Sequence, residues 1–159
     1  MALNALDKHT IKLVNFSNVM KERVAAAAIT PGMLVEIMST GKVRAHATRN
    51  GNAVPMFALE DELQGKDIDE AYAAADQVQC WIPGRGDMVY ALLADGENVA
   101  IGDFLTSNGD GYLKKFIGGA STLEDYPLEI VAQAREAIDR SGSSGEDTNV
   151  TGRIVVMVV

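Results

Sequence analysis

The sequence predicts a mainly β protein, with a compact β-barrel or β-sandwich body of short antiparallel strands, an N-terminal arm and little helix. Three observations support this fold class. Apolar runs of four to eight residues alternate with Gly, Pro, Asn and Asp, which is typical of short strands joined by tight turns. All 15 glycines and 4 prolines lie after residue 24, so the chain changes character there. Finally, "ITPGMLVEIMSTGKVRA" at 29–45 resembles "VAIGDFLTSNGDGYLKK" at 99–115.

The N-terminal arm is predicted from charge as well as from composition. Residues 1–24 hold four basic and two acidic side chains, a net charge of +2, whereas the rest holds ten basic and twenty acidic ones, a net charge of −10. We therefore expect an arm at 1–26 and a β-rich domain at 27–159. The alternative is that "TIKLVNF" forms a first strand followed by a short helical turn.

The body consists of apolar segments separated by turn sequences. "GMLVEIM" leads through "STGK" to "VRAHAT", and "NGN" precedes "AVPMFAL". Further on, "QVQCWI", "MVYALLA" and "VAIGDFLTS" are separated by "PGRGD" and "DGEN". Valine, isoleucine, tyrosine and tryptophan in these segments favour strands. The final "VTGRIVVMVV" does not alternate, so we expect a strand covered on both faces.

Two stretches depart from this pattern. Residues 59–76 are acidic and then alanine-rich, and we expect a solvated surface excursion with one helical turn around 69–75. In "YPLEIVAQAREAIDRSG" at 126–142, the apolar residues fit helical spacing and also strand alternation, so periodicity leaves both structures open.

Composition limits the classes of function. A formal net charge of −8 argues against sequence-independent nucleic-acid binding, which requires a basic face. The longest strongly apolar run is far shorter than the ~20 residues of a membrane helix, and no export signal opens the chain. Cys80 is the single cysteine, so no intrachain disulfide can form. We expect neither a nucleic-acid nor a membrane partner, and synthesis in a cytoplasm.

A calcium site is the first chemical possibility, because Asp103, Asn108 and Asp110 are spaced somewhat like an EF-hand loop. That loop needs an oxygen ligand at position 3 and a bidentate glutamate at position 12. Counted from Asp103, those positions hold Leu105 and Lys114. "NGDG" is better interpreted as hairpin turn chemistry, since these residues accept positive φ. We predict no metal.

Catalytic and adhesive functions find no support. "RGD" at 85–87 lies in a turn-rich link where Arg85 and Asp87 are expected to be solvated. His9 and His46 accompany no nucleophile motif, and Cys80 lies in an apolar strand as an expected inert core thiol. Nucleotide-binding glycine motifs are absent from the sequence, and the carboxylate pairs of 59–76 are expected to be solvated. We predict that the protein is not an enzyme and has no cofactor.

The two similar segments align without gaps. Each would enter a strand through a turn at its first glycine, contribute an apolar pair to the core, and reverse at its second glycine; chance similarity of two hairpins is the alternative. The aligned pairs are Ile29 with Val99, Gly32 with Gly102, Leu34 with Phe104, Val35 with Leu105, Gly41 with Gly111, and Val43 with Leu113.

The order of these segments resembles a known family. "ITPGMLVEI…GKVRAHA…AVPMFALEDELQGKDIDEAY", then "VQCWIPGRGDMVYALLADGENVAIGDFLTSNGDGYL", then "EIVAQAREAID…TGRIVVMVV" is similar to the head decoration, or capsid cement, proteins of tailed bacteriophages. The resemblance covers roughly 29–159. It implies a β body on the outer surface of a virion that clamps neighbouring major capsid subunits, commonly as a homotrimer at three-fold or quasi-three-fold positions. It also favours strand over helix at 128–138.

The arm lies outside this resemblance, so its role is predicted from composition. A segment that orders on binding can wrap a large surface. We predict that residues 1–24 bind the capsid, with apolar anchors and rim charges at Lys8, Ile11, Lys12, Val14 and Phe16.

A carbohydrate- or cell-surface-binding β module is the principal alternative. It requires an exposed aromatic platform, and the chain has four Phe, four Tyr and one Trp. Trp81 is expected to be interior, which leaves Tyr72, Tyr112 and Tyr126 as candidates.

Overall fold

Short strands form almost all of the regular structure. A computed structural model describes residues 8–16, 19–118, 128–142 and 152–159. These ranges contain thirteen strands and one 3₁₀ turn, Glu62–Gln64. The strands are β1 Lys12–Val14, β2 Val19–Val24, β3 Val35–Ile37, β4 Val43–Ala45, β5 Phe57–Ala58, β6 Gln77–Ile82, β7 Met88–Leu92, β8 Asn98–Val99, β9 Phe104–Ser107, β10 Leu113–Lys115, β11 Ala132–Ala134, β12 Ile138–Asp139 and β13 Arg153–Val158.

The strands pair antiparallel in four sheets. A six-stranded sheet has the order β1-β7-β13-β11-β9-β10, and a three-stranded sheet has the order β2-β6-β5. Strands β3 and β4 form a hairpin, and β8 pairs with β12. The predicted mainly β class is confirmed, although the sheets of the described residues do not close into one barrel.

The two aligned segments both fold as hairpins, β3–β4 and β9–β10. The reversal is closed in the first by the Met38 N–H donating to Lys42 O at 2.8 Å, and in the second by the Asn108 N–H donating to Tyr112 O at 2.9 Å. All four aligned glycines have positive φ, between +79° and +92°. The hairpin interpretation of "NGDG" is therefore confirmed.

The hairpins belong to a larger repeat that the sequence did not reveal. Residues 19–82 (β2–β6, the first repeat) and 88–158 (β7–β13, the second repeat) share one pairing scheme. Strands β2, β6 and β5 of the first repeat correspond to β7, β13 and β11 of the second. Equivalent pairs are Val24↔Gln77 and Leu92↔Arg153, Ala58↔Cys80 and Ala134↔Val156, and Ile29↔Tyr72 and Val99↔Ile138; the parallel bridges Ala25↔Val43 and Leu93↔Leu113 also match.

Two apolar clusters form the core, and β6 contributes to both because successive side chains of a strand point to opposite faces. Trp81 packs in the larger cluster with the strands of the second repeat. Val78 and Cys80 pack in the smaller cluster with residues of the first repeat alone. The expectations that Trp81 is interior and that Cys80 is a core thiol are confirmed, since both are fully buried.

The ambiguous segments are resolved by pairing. Within 128–138, residues 132–134 and 138 lie in strands, since β11 pairs with β9 and β13 and β12 pairs with β8, and a bend at 135–136 separates them. In the acidic excursion the helical turn falls at 62–64 rather than at the expected 69–75. Within 69–75, Tyr72 instead forms a β-bridge with Ile29, which holds the backbone extended at that residue. Glu60 and Asp61 are buried, so the expectation that these carboxylates are solvated is wrong for both.

The described part of the predicted arm forms strands that pair with the body. Strand β1 pairs with β7, and β2 pairs along its whole length with β6. Deleting residues 1–24 would therefore remove two paired strands as well as any surface that the segment presents. The first seven residues lie outside the described residues.

Candidate partner-binding surface

Ile11 is the one predicted contact residue that the core encloses. Its side chain is fully buried in the larger cluster. Its N–H donates to Glu60 Oε2 at 3.1 Å, and its carbonyl accepts the Tyr90 N–H at 2.9 Å. Ile11 thus attaches the N-terminal strand to the body, and its side chain is not accessible to a partner in this conformation.

The two predicted lysines lie over aromatic rings. Lys8 Nζ is 5.1 Å from the centroid of Tyr90, and Lys12 Nζ is 5.7 Å from the centroid of Trp81. Such cation–π contacts contribute roughly 0.5–1 kcal/mol at exposed sites. Both lysines are half-buried, so their stems pack on the body while the segment carries positive charge.

Val14 and Phe16 present apolar side chains to solvent. Phe16 is 85% exposed and Val14 is 37% exposed. The backbone beneath Phe16 is nevertheless fixed, because its N–H donates to Asp87 Oδ1 at 2.6 Å. An exposed aromatic ring on a fixed backbone needs little further ordering to bind a partner.

Asp87 corrects the interpretation of "RGD". It was expected to be solvated but is fully buried, since one carboxylate oxygen accepts the Phe16 N–H and the other accepts the Gly84 N–H at 2.8 Å. This carboxylate is therefore a structural clamp between the N-terminal segment and the turn before β7.

A second apolar surface is an open recess of about 320 Å³ on the first repeat. Ile37 and Val54, 45% and 65% exposed, line its apolar part, and Lys21 of β2 borders it. Its polar border includes His46, whose ring nitrogens lie 2.7 Å from Ser107 Oγ and 3.1 Å from Asn52 O. His46 thus joins the hairpin of one repeat to that of the other.

The most buried titratable side chains have structural partners. Burial raises the pKa of the Cys80 thiol to about 11, which keeps it protonated and a poor nucleophile. Burial also raises the pKa of Tyr72, whose hydroxyl donates to Leu59 O at 2.7 Å. Arg153 donates to the carbonyls of Pro31 and Ile68, at 2.9 and 2.6 Å. Within the described ranges, no three His, Cys, Asp or Glu side chains converge as metal ligands.

The predicted calcium-loop residues instead stabilise turns. Asp103 accepts the Ala100 N–H at 2.9 Å and pairs with Lys115 Nζ at 2.7 Å. The hydrogen bond from Lys115 is the main reason that the pKa of Asp103 is lowered. Asp110 accepts from Asn108 and from the Tyr112 N–H, both at 3.1 Å.

The candidate aromatic platform for carbohydrate binding loses one of its three members. Tyr72 is 1% exposed and belongs to the smaller core cluster. Tyr112 is half-buried in the β9–β10 turn, and Tyr126 lies outside the described residues.

Sequence reasoning missed the two carboxylates, Glu60 and Asp87, that hold the N-terminal segment. The only local signal was an acidic residue directly beside an apolar strand, at "FALED" and "GRGDMVY". The helices of the described residues include none long and apolar enough to cross a membrane.

Comparison with known proteins identifies a similar fold. No protein-family model matches the chain, and no curated protein matches its sequence. Among solved structures, the chain is similar to the N base of the head fiber protein gp8.5 of bacteriophage phi29, at 13% sequence identity and a TM-score of 0.52. The match covers 90% of this chain and 95% of that one. The two chains therefore share a fold over nearly their whole length.

Proposed function

We propose that this protein is a structural component of a bacteriophage head. The observation that carries the proposal is the fold shared with the base of a phage head fiber over 90% of the chain. The order of the sequence segments, which resembles that of head decoration proteins, supports the same class independently. The buried, structurally partnered titratable groups described above fit a binding protein better than an enzyme.

The finer proposal is that the protein decorates the outer surface of the capsid and cements neighbouring major capsid subunits. A protein of this kind requires a rigid domain and a partner-binding surface whose weak contacts are repeated by the symmetry of the capsid. Homotrimers at three-fold or quasi-three-fold positions would supply that repetition. The partner is the major capsid protein, and the location is the virion.

The proposed contact surface is the exposed side of the N-terminal segment. Phe16 and Val14 supply apolar contact area, and Lys8 and Lys12 supply positive charge on a chain whose net charge is −8. Complementary charge at the rim of an interface steers encounter, while buried aromatic anchors provide most of the affinity. Phe16 is the expected anchor.

Co-sedimentation with empty expanded heads tests this proposal, using Phe16→Ser against Leu63→Ser. The two side chains are almost equally exposed, at 85% and 84%, so both variants should fold like the parent. We expect Phe16→Ser to lose at least about tenfold in occupancy, which corresponds to 1.4 kcal/mol. Leu63→Ser should bind normally.

Two results would contradict the proposal at different levels. If the unmodified protein does not bind heads at all, the capsid function is wrong. If it binds and both variants bind equally, the function stands but the contact surface lies elsewhere. Light scattering of the free protein separately tests the trimer.

A further inference from the structure

The two repeats differ in whether another strand covers one equivalent sheet edge. In the second repeat, the outer edge of β7 is covered by β1, with Lys12 opposite Val89. The coverage includes a backbone hydrogen bond from the Tyr90 N–H to Ile11 O at 2.9 Å. The chain thus supplies an added antiparallel strand to its own second repeat.

In the first repeat the equivalent strand is β2, and its outer edge is open in the described part of the chain. Glu22 lies opposite Gln79 as Tyr90 lies opposite Val155, so Glu22 is the equivalent of Tyr90. The Gln79 carbonyl accepts the Leu59 N–H at 2.8 Å, on the β5 side of β6. Glu22 and Gln79 are therefore a non-hydrogen-bonded pair of the antiparallel ladder. In such a pair each residue directs its N–H and C=O groups away from the other strand, so the backbone groups of Glu22 point away from β6.

An apolar surface accompanies this open edge. Val19 and Met20 of β2, which point to opposite faces of the strand, are 51% and 43% exposed. The recess on the first repeat is lined by Lys21 of β2 and by Ile82, the β6 residue opposite Val19. An open edge beside an apolar recess is the arrangement that accepts an extended peptide, with backbone bonds for affinity and side-chain contacts for specificity.

The charges of β2 disfavour a second copy of the same chain as the occupant. Two copies related by a two-fold axis perpendicular to the sheet would place residues of the same face opposite one another. Centred on Glu22, that register pairs Glu22 with itself and Lys21 with Arg23; centred on Lys21, it pairs Lys21 with itself. Like charges directly opposite one another destabilise a strand pair, and they protect natural sheet edges from self-association.

We propose that the open edge of β2 binds an extended strand of a different protein, antiparallel to β2. By charge complementarity that strand carries acidic residues opposite Lys21 and Arg23 and a basic residue opposite Glu22. Apolar residues follow opposite Met20, on the face of Trp81, and opposite Val19, on the face of Ile82 and the recess. This inference goes beyond the proposed capsid function, since it concerns the edge itself and holds for any protein that presents such a strand.

Amide hydrogen exchange by NMR on the full chain provides the test. The probe is the blocked peptide TEKEVVT, whose residues match that order, and the control is the charge-reversed TKEKVVT. With the probe at about 1 mM, we expect exchange of the Glu22 amide to slow at least about fivefold, and no change with the control. In the free protein, the Glu22 amide should exchange much faster than the equivalent Tyr90 amide.

Two variants separate strand addition from nonspecific binding. For these two variants the readout is the Met20 amide, which lies two residues along β2 from position 22 and therefore points outward in the same way. Glu22→Pro removes an outward N–H but no bond to β6, and proline is tolerated at such edge positions. It should therefore abolish the slowing of Met20 exchange by the probe, while Glu22→Ala retains it. The triple variant Lys21→Glu, Glu22→Lys, Arg23→Glu should prefer TKEKVVT instead. Equal effects of the two peptides, no effect of the probe, or a Glu22 amide already protected in the free protein would each overturn the inference.

Discussion

Gly32 and Gly102 occupy equivalent positions in the two repeats, with φ of +90° and +92°, but differ in their surroundings. A Cβ atom at Gly102 would meet nothing within 4 Å. A Cβ atom at Gly32 would lie 2.5 Å from Arg153 Nη1 and 2.9 Å from the Tyr90 carbonyl oxygen. Alanine at either position is strained by the positive φ, so the difference between the two variants isolates the crowding.

The magnitudes follow from these two contributions. The left-handed backbone costs a non-glycine residue about 1–2 kcal/mol, which is the expected destabilisation of Gly102→Ala. Overpacking adds about 1–3 kcal/mol, so Gly32→Ala should lose about 2–5 kcal/mol of unfolding free energy. At about 2–4 °C per kcal/mol for a chain of this size, the two melting temperatures should differ by at least about 2 °C.

Urea unfolding followed by the fluorescence of Trp81, the single tryptophan, measures both variants. Equal destabilisation of Gly32→Ala and Gly102→Ala would refute the close approach of Arg153 and Tyr90 to Gly32. The other glycine pair provides a control with the opposite order. Gly41 has open space, whereas a Cβ atom at Gly111 would lie 3.0 Å from Ala45 Cβ and from Met33 Cγ. For this pair, Gly111→Ala in the second repeat should lower the free energy of unfolding more than Gly41→Ala in the first.

Three further predictions concern buried and paired side chains. Arg153→Met should lower the free energy of unfolding in urea by about 2–5 kcal/mol, because the buried carbonyls of Pro31 and Ile68 lose their donor. Asp69→Asn should lower it by under about 0.5 kcal/mol, since that carboxylate is 75% exposed. Equal losses in the two variants would contradict this assignment. The pKa of Asp103 is lowered in the folded state, so its contribution to stability is present above its unfolded value of 3.8 and is lost as pH falls through the folded value. The melting temperature of Asp103→Asn should therefore lie below that of the parent at pH 7 and converge with it in acid, and a gap that persists at about pH 2 would show that the ion pair is not its cause. Burial raises the pKa of the Cys80 thiol to about 11, so a thiol reagent at about pH 8 should modify Cys80 only in opened molecules. Labelling should therefore be faster in the less stable Gly32→Ala. A labelling rate unaffected by stability would indicate direct access.

Local chemistry accounts for the parts of the fold that the sequence predicted. A hairpin depends on the φ angles of a few consecutive residues, so "STGK" and "NGDG" identified the β3–β4 and β9–β10 reversals. The interior positions of Trp81 and Cys80 followed from their apolar neighbours. The segment at 128–138 could not be assigned from periodicity, because its spacing fits both structures and only pairing with β9 and β13 decides between them.

By itself, the sequence determined the β class, the turns and the acidic character of this protein, since these depend on composition and on neighbouring residues. Tertiary structure alone decided how the N-terminal segment is held and which carboxylates are buried. Glu60 is buried because its partner is the N–H of Ile11, 49 residues away, and Asp87 because its partner is the N–H of Phe16, 71 residues away. The similarity of the two repeats lies in their backbone pairing. Because many different side chains are compatible with the same backbone pairing, the two repeats share hydrogen-bond patterns at positions where their residues differ. Among the described residues, the outer edge of β2 has no strand beside it, whereas the equivalent edge of β7 is covered by β1.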